Sequence, residues 1–383
     1  MGVKEKACYD CHAAELRDAN DSHPKSKFTD PRNADRLGLI KADDCVTCHR
    51  EHDADRTRPF GVTMPDDYCF HCHQQTLQDR PSHKNFAFNS CASAGCHNYH
   101  DNTALYEGFL LKHLNEPAVK KGATVPRRTF LAARGPALSV EQQDAPRTVS
   151  ADTNILHSWV STAHARAGVN CSACHAQSGN AKAWSDHPSH TACAECHKEE
   201  VDGFLGGKHG MALSRGLPPM TPGKARLPMK AESAHRDLTC ASCHGAHDFN
   251  TRRAAVDACL ACHNDGHSLA YKNSEHFARW NDELTGNAPI GLGVSCATCH
   301  LPRETREETV TVQHNQNLNL RPNEKMIRSV CLQCHGLAFS IDSLADSSLV
   351  RSNFIGQPSR HVESIDLAEK RQMEILKTRK PLK

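Results

Sequence analysis

The cysteines of this sequence lie in pairs, and a histidine follows each pair. Nine pairs have the spacing Cys-x-x-Cys-His, and a tenth, Cys91/Cys96/His97, has four residues between its cysteines. Two thiols at the shorter spacing bond to the two vinyl groups of one haem, and the following histidine ligates its iron from one side. Each motif therefore predicts one covalently attached haem c, about ten in all. The predicted attachment residues are Cys8, Cys11, Cys45, Cys48, Cys69, Cys72, Cys91, Cys96, Cys171, Cys174, Cys193, Cys196, Cys240, Cys243, Cys259, Cys262, Cys296, Cys299, Cys331 and Cys334. The predicted proximal iron ligands are His12, His49, His73, His97, His175, His197, His244, His263, His300 and His335.

The same cysteine spacing occurs in zinc sites and thiol redox centres. Histidine makes up 27 of 383 residues, about one in fourteen, yet it follows the second cysteine in all ten pairs. A zinc site has no need of a histidine at that place, whereas a haem attachment motif requires it. Haem is therefore the interpretation for the nine regular motifs. At Cys91/Cys96 a disulfide or a metal clip is the alternative.

Seventeen histidines remain after the ten proximal ones are set aside. A second imidazole on each iron gives a closed low-spin centre, which suits electron transfer better than substrate binding. Three or four residues after a proximal histidine, a second histidine can reach a neighbouring haem, as at His52, His100, His247 and His267. The predicted distal ligands are His23, His52, His83, His100, His113, His164, His190, His209, His235, His247, His267, His276, His314 and His361. A surface histidine is the alternative for each of them. Three methionines are a further source of ligands: Met211, Met220 and Met229.

Two segments carry family resemblances. The stretched motif closes a group of four motifs, and residues 1–100 resemble the class III tetrahaem cytochromes. The run Ser274–Trp280, followed by Gly293–Pro302, resembles segments of the pentahaem nitrite reductase and octahaem hydroxylamine oxidoreductase superfamily, over residues 160–335. That resemblance implies that His276 and His314, each ahead of a motif, are distal ligands of other haems.

The resemblance to nitrite reductases does not extend to their catalytic motif. Their catalytic haem has a proximal lysine, in Cys-x-x-Cys-Lys, whereas all ten motifs here end in histidine. An electron carrier is therefore favoured over an enzyme. An octahaem-type active site, with histidine on one face of the iron and an open position on the other, stays an alternative.

The motif spacing predicts the domain organisation. Four motifs begin between residues 8 and 91, and six more begin between residues 171 and 331. The predicted regions are an N-terminal tetrahaem module at 1–115, a Cys-free Pro-rich basic linker at 116–156, a hexahaem module at 157–340 and a Cys-free helical tail at 341–383. The expected fold class is mostly irregular chain with short α-helices, packed around haems, with little or no β-sheet. Helical apolar spacing occurs at 104–114 and 362–377.

The basic residues of the predicted linker have two interpretations. They either pair with haem propionates or contact a partner protein, or they are solvated. The residues are Lys120, Lys121, Arg127 and Arg128.

The predicted haem also indicates the cellular compartment of the protein. Because covalent haem attachment in bacteria and archaea takes place outside the cytoplasmic membrane, we expect export to the periplasm or the cell surface. Residues 1–7 are too short and too charged for a signal peptide, so a mature terminus is expected there. No run of 18 apolar residues predicts a transmembrane segment.

Dense haem packing predicts the function. Only 38% of residues are hydrophobic, and ten haems in 383 residues leave about 38 residues per haem, so haems are expected to serve as the core. Closely packed haems transfer electrons along the molecule. The preferred interpretation is an extracellular wire or filament protomer. The alternatives are a periplasmic or porin-embedded conduit, and a reductase or oxidoreductase of nitrogen or sulfur compounds with one open haem. Expected partners are redox proteins, further copies of the chain or an outer-membrane porin, and no nucleic acid.

Overall fold

The structure is a computed structural model. It describes residues 107–147, 152–177, 180–320 and 325–362, together with single positions outside these ranges. The first four motifs and the candidate ligands His23, His52, His83 and His100 lie outside the described residues, so the predictions made for them stay predictions.

Short helices dominate the described part of the chain, as expected from the sequence. Several begin at polar side chains that accept a hydrogen bond from the first helical turn, such as Ser274 before the longest helix, and that helix ends at Gly286 with a left-handed φ of 79°. The α-helices are α1 Glu107–His113, α2 Thr153–Val160, α3 Ala163–Arg166, α4 Ser172–His175, α5 His190–Ala194, α6 Lys198–Gly206, α7 Cys240–His244, α8 Thr251–Ala255, α9 Asp257–Leu260, α10 Gly266–Ala270, α11 Glu275–Thr285, α12 Cys296–His300, α13 Asn317–Leu320, α14 Leu332–Cys334, α15 Leu337–Ala345 and α16 Ser347–Arg351.

Tighter and wider turns connect these helices. The 3₁₀ helices are Val140–Gln142, Leu213–Arg215, Pro222–Lys224, Ala231–Ser233 and Tyr271–Asn273, and a π-helical turn spans Ile327–Cys331. Helix α1 lies inside the predicted helical stretch 104–114. The described positions between residues 365 and 377 are also helical.

The β-structure of the described residues consists of two small antiparallel hairpins. Strand β1 Ala176–Gln177 pairs with β2 Asn180–Trp184, and strand β3 Arg303–Arg306 pairs with β4 Thr309–Val312. Isolated hairpins of this length are marginal by themselves, so neighbouring elements must hold them in place. The expectation of little β-sheet is confirmed.

The described chain forms two compact units. One contains residues 125–269 and 293–316, and we refer to it as the five-motif unit because it holds the motifs that begin at residues 171, 193, 240, 259 and 296. The other contains the described residues of 107–124, 270–292 and 317–383, and we refer to it as the one-motif unit. The motif at Cys331 is thus grouped with chain that precedes and follows the five-motif unit. The predicted division into four and six haems stays a prediction.

Large apolar side chains are buried mainly in the one-motif unit. The largest fully buried side chains among the described residues are Ile327, Leu337 and Ile341. In the five-motif unit the buried apolar residues are mostly alanines and valines, such as Ala165, Val201, Ala255 and Val256, and Trp159 is the one large buried apolar side chain among its described residues. Haem as the core of this unit stays a prediction from the composition.

The segment before the fifth motif contributes residues to each unit, and its regular structure is limited to the 3₁₀ helix Val140–Gln142. We call residues 116–147 the connecting segment. In the one-motif unit, Lys120 donates its backbone N–H to Cys334 O at 2.8 Å. In the five-motif unit, Thr129 donates to Val310 O at 2.9 Å and Leu138 donates to Ala165 O at 3.0 Å. The segment is therefore bound to folded chain rather than solvated throughout.

None of the helices in the described ranges is long and apolar enough to cross a membrane.

Candidate functional site

Each motif in the described residues lies on or beside a single helical turn. A Cys-x-x-Cys spacing places both sulfurs on one face of such a turn, and the next residue is the histidine. The clearest case is α12 Cys296–His300, where Ser295 and Thr298 form a buried reciprocal cap: Ser295 Oγ accepts from Thr298 N at 3.2 Å, and Ser295 N donates to Thr298 Oγ1 at 3.0 Å. Helix α7 Cys240–His244 has the same kind of cap at Thr239. The twelve described cysteines form no disulfide with one another.

A second histidine lies opposite every proximal histidine of the described residues. The ring centroids of the six pairs are separated by 5.8 to 6.4 Å. The pairs are His175 with His247, His197 with His164, His244 with His314, His263 with His209, His300 with His267, and His335 with His276. Five pairs lie within the five-motif unit, and the pair His335/His276 lies within the one-motif unit.

This separation fits one metal ion between two imidazoles. An imidazole nitrogen lies about 2.0–2.1 Å from a first-row metal ion that it ligates and its ring centroid about 1.1 Å farther out, so two imidazoles on opposite sides of one ion have centroids about 6.3 Å apart. Two stacked rings in direct contact would be closer. The motif cysteines beside each pair supply the two thioether bonds that haem c requires, so the residues present fit this group.

Burial favours the neutral form of several of these imidazoles, which is the form that ligates metal. Burial, with a smaller contribution from neighbouring imidazoles, lowers the pKa of His209, His244, His276 and His300 to about 4. Burial also lowers the pKa of His314, against a hydrogen bond to Val312 O that raises it. At neutral pH these five rings therefore carry a free nitrogen lone pair.

Backbone carbonyls orient three of the twelve rings. His175 Nδ1 donates to Ser185 O at 2.7 Å, His335 Nδ1 donates to Ala118 O at 2.8 Å, and His314 Nδ1 donates to Val312 O at 2.8 Å. A proton on Nδ1 leaves the Nε2 lone pair for iron. The two hairpins supply two of these carbonyls, since Ser185 follows β2 and Val312 ends β4.

Aromatic side chains pack against several of the rings. Trp184 stacks on His175, with ring centroids 4.7 Å apart and planes 9° apart. Phe339 stacks on His335 at 5.0 Å, and Phe249 meets His164 edge to face at 4.5 Å. The sequence motifs do not predict these aromatic neighbours, because the aromatic residues have no fixed spacing from the cysteines.

Thiols of successive motifs lie close together in the five-motif unit. The side chains of Cys193 and Cys240 share a hydrogen bond, which lowers the pKa of Cys193 to about 7 and raises that of Cys240. A second hydrogen bond joins Cys259 to Cys296 and raises the pKa of Cys259. In both pairs, each cysteine is the first of its motif. The hydrogen bonds therefore place the attachment points of two haems side by side.

Weaker electrostatic contacts join the remaining motifs of this unit. Burial, with a smaller contribution from the nearby thiol of Cys193, raises the pKa of Cys174 to about 11. Burial likewise raises the pKa of Cys243 to about 11, with a contribution from Cys259. Together with the two hydrogen bonds, these contacts connect the five motifs in their sequence order.

Four other predicted distal ligands within the described residues face no proximal histidine of that part of the chain. His113 contacts Glu116 Oε1 at 2.8 Å, and His361 contacts Asp342 at 3.2 Å and Asp366 at 2.7 Å. His235 is exposed, and His190 is half-buried at the start of α5. Their assignment as ligands stays a prediction.

The zinc alternative finds no structural support in the described part of the chain. There, no group of three or more histidine, cysteine, aspartate or glutamate side chains comes together in a way that holds a metal ion. Among the methionines named as alternative ligands, Met229 pairs through its backbone with His263, whose ring faces His209.

Two comparisons with known families match parts of this chain. The cytochrome c3 family matches residues 232–315, and the doubled Cys-x-x-Cys-His motif matches residues 38–78. The cytochrome c3 match lies mostly in the five-motif unit, whereas the class III resemblance rests on residues 1–100. The matches do not extend to nitrite reductases, and that resemblance stays a prediction. No curated protein and no solved structure matches the chain.

Proposed function

Because this chain is a multihaem c-type cytochrome whose sequence resembles the class III cytochromes, we propose that it conducts electrons along a row of about ten bis-histidine haems. The observation that carries the proposal is the set of six histidine pairs, each at a separation of 5.8 to 6.4 Å beside two motif cysteines. When bound, haem iron supplies a one-electron couple, and two axial imidazoles close it to substrates.

The protein's own residues set the order of the row in the five-motif unit. Hydrogen bonds join Cys193 to Cys240 and Cys259 to Cys296. Electrostatic interactions couple Cys174 to Cys193 and Cys243 to Cys259. In the proposed row, electrons pass between motifs in the order 171, 193, 240, 259 and 296, and the two hydrogen-bonded cysteine pairs support short transfer distances at their steps.

Closed iron centres favour conduction over catalysis. A reductase or oxidoreductase needs one haem with an open face, and each proximal histidine of the described residues has an imidazole opposite it. The proposed assembly is an extracellular wire or filament protomer, with a periplasmic or porin-embedded conduit as the alternative. In either case the chain works outside the cytoplasmic membrane, with redox proteins as partners.

A spectrum and an image of the purified holoprotein test the proposal. We expect electron paramagnetic resonance of the oxidised protein to show low-spin haem only, with no change on adding cyanide, nitrite or hydroxylamine. A high-spin fraction near one haem in ten would instead favour the enzyme. Negative-stain imaging separates the assemblies, because a filament protomer forms ordered fibres and a carrier stays as single particles.

A further inference from the structure

Arg128, in the connecting segment, reaches a proximal histidine more than 60 residues later in the chain. Its Nη2 lies 3.3 Å from His197 Nδ1 and 2.6 Å from Glu200 Oε1, and its Nε lies 3.1 Å from the same carboxylate oxygen. Both Arg128 and Glu200 are partly buried, with side chains 29% and 14% exposed. The pair is therefore shielded from much of the screening that weakens exposed ion pairs.

The group that contacts His197 carries a positive charge, whereas the groups that contact other proximal histidines are neutral or negative. His175 and His335 face carbonyl oxygens, which accept a proton and leave the ring electron-rich. His263 has a carboxylate oxygen of Asp265 at 3.7 Å. A guanidinium keeps its positive charge and cannot accept the Nδ1 proton of an imidazole that ligates iron through Nε2, so Arg128 acts on the ring of His197 through its charge.

The charge nearest the ring decides the effect on the iron. Burial would raise the pKa of Glu200, but its hydrogen bond with Arg128 and the opposite charge lower it, so Glu200 is ionised. The Glu200 carboxylate offsets part of the charge of Arg128. The Nη2 nitrogen that contacts this carboxylate also contacts the ring of His197, so positive charge lies directly beside the ring. The oxidised iron carries one more positive charge than the reduced iron, so a cation at this place favours the reduced form.

We propose that Arg128 is a positioning residue that raises the reduction potential of the haem held by Cys193, Cys196 and His197. The inference rests on the proposed function, because it assumes haem at this motif. The step concerned is the addition of one electron, from a neighbouring motif or a chemical reductant, to ferric iron, and no bond forms or breaks. As the second motif in the proposed order, this haem holds an electron more readily than its neighbour at His175.

Redox titration of the holoprotein, followed by visible absorbance, tests the inference. Replacing Arg128 with Gln removes the charge, and about one tenth of the absorbance change should move to lower potential. We expect about a tenfold change in the oxidised-to-reduced ratio of that component, which corresponds to about 59 mV for one electron. Arg128→Lys keeps the charge and should titrate close to the wild type.

Arg127 provides the matched control, since it is the adjacent arginine and its side chain is exposed. The substitution Arg127→Gln makes the same change in net charge and should leave the titration unchanged. An Arg128→Gln titration that superimposes on the wild type, moves upward or matches that of Arg127→Gln would overturn the inference.

A second variant decides the case if Arg128→Gln fails to retain its haems. Glu200→Gln leaves the guanidinium uncompensated, so the same component should move to higher potential; no movement, or movement downward, overturns the inference. Failure of the proposed function would look different, because the wild type itself would then lack the haem content or the low-spin signal.

Discussion

Replacing His314 with alanine should leave the iron held by His244 without its second imidazole. His314 lies opposite His244, with ring centroids 6.2 Å apart, and its Nδ1–H bond to Val312 O directs the other ring nitrogen away from the hairpin. Alanine cannot reach the position of the lost imidazole, so one face of the iron held by His244 becomes accessible. With ten motifs in the sequence, about one tenth of the haem iron should change from low spin to high spin.

Two assays measure this fraction independently. Electron paramagnetic resonance of the oxidised variant should show a high-spin signal from about one haem in ten. The reduced variant should bind carbon monoxide at the same stoichiometry, while the wild type binds none. The matched control is His361→Ala, because both ring nitrogens of His361 already contact carboxylates and its side chain is 53% exposed.

The result can refute the reasoning directly. A His314→Ala protein that stays entirely low spin and binds no carbon monoxide would show that His314 is not an iron ligand. An equal response in His361→Ala would show that histidine loss at any place disturbs the haems, and the ring separations would then carry no information on ligation.

Three further predictions concern packing, capping and pH. Gly168→Ala should loosen the connecting segment and speed its proteolysis, because φ at Gly168 is +75° and a Cβ there would lie 2.8 Å from Gly135 N. Gly135→Ala is the control and should be tolerated, because a Cβ at Gly135 would meet only an ordinary contact at 4.0 Å. Ser295→Ala removes the cap of the motif helix that follows it and should lower the opening free energy of the Thr298 amide by about 1 kcal/mol in hydrogen exchange; unchanged protection would contradict the role of the cap. Hydrogen bonds to two aspartates raise the pKa of His361, so their stabilisation is complete below the ordinary histidine pKa of 6.5 and is lost as pH rises through the raised value. Protection of the neighbouring Val362 amide should therefore fall as pH increases in this window, and His361→Ala should abolish that dependence.

The attachment residues could be predicted from the sequence because their chemistry fixes their spacing. Two vinyl groups of one haem require two thiols a helical turn apart, and the adjacent histidine is the one that reaches the iron. The expectation of helix at 104–114 and 362–377 also rested on the spacing of nearby apolar residues. Both properties are local, so they can be read from a few consecutive residues.

The histidine pairing could not be predicted, because it depends on tertiary structure. His314 faces His244, 70 residues earlier in the chain, and His164 faces His197, 33 residues later. Spacing indicated that His247 reaches a neighbouring haem, but only the fold places it opposite His175. The list of predicted distal ligands also included His235, which is exposed.

The hairpins and the connecting segment show a second limit. Strands of two to five residues give no alternation long enough to recognise, yet the hairpins position Trp184 and His314. The basic residues of the connecting segment were predicted to contact propionates or a partner, or to be solvated. The structure places Lys120 against Glu116 and Leu332 O, and Arg128 against Glu200 and His197, so these two side chains are not fully solvated. Their contact with propionates or a partner stays a prediction.

Intact-protein mass spectrometry tests the central claim most directly, since it counts the groups covalently bound to the chain. We predict the polypeptide mass plus that of ten haems, one for each Cys-x-x-Cys-His motif and one for the stretched motif at Cys91. A mass equal to the bare polypeptide, or one that indicates zinc in place of haem, would contradict the account.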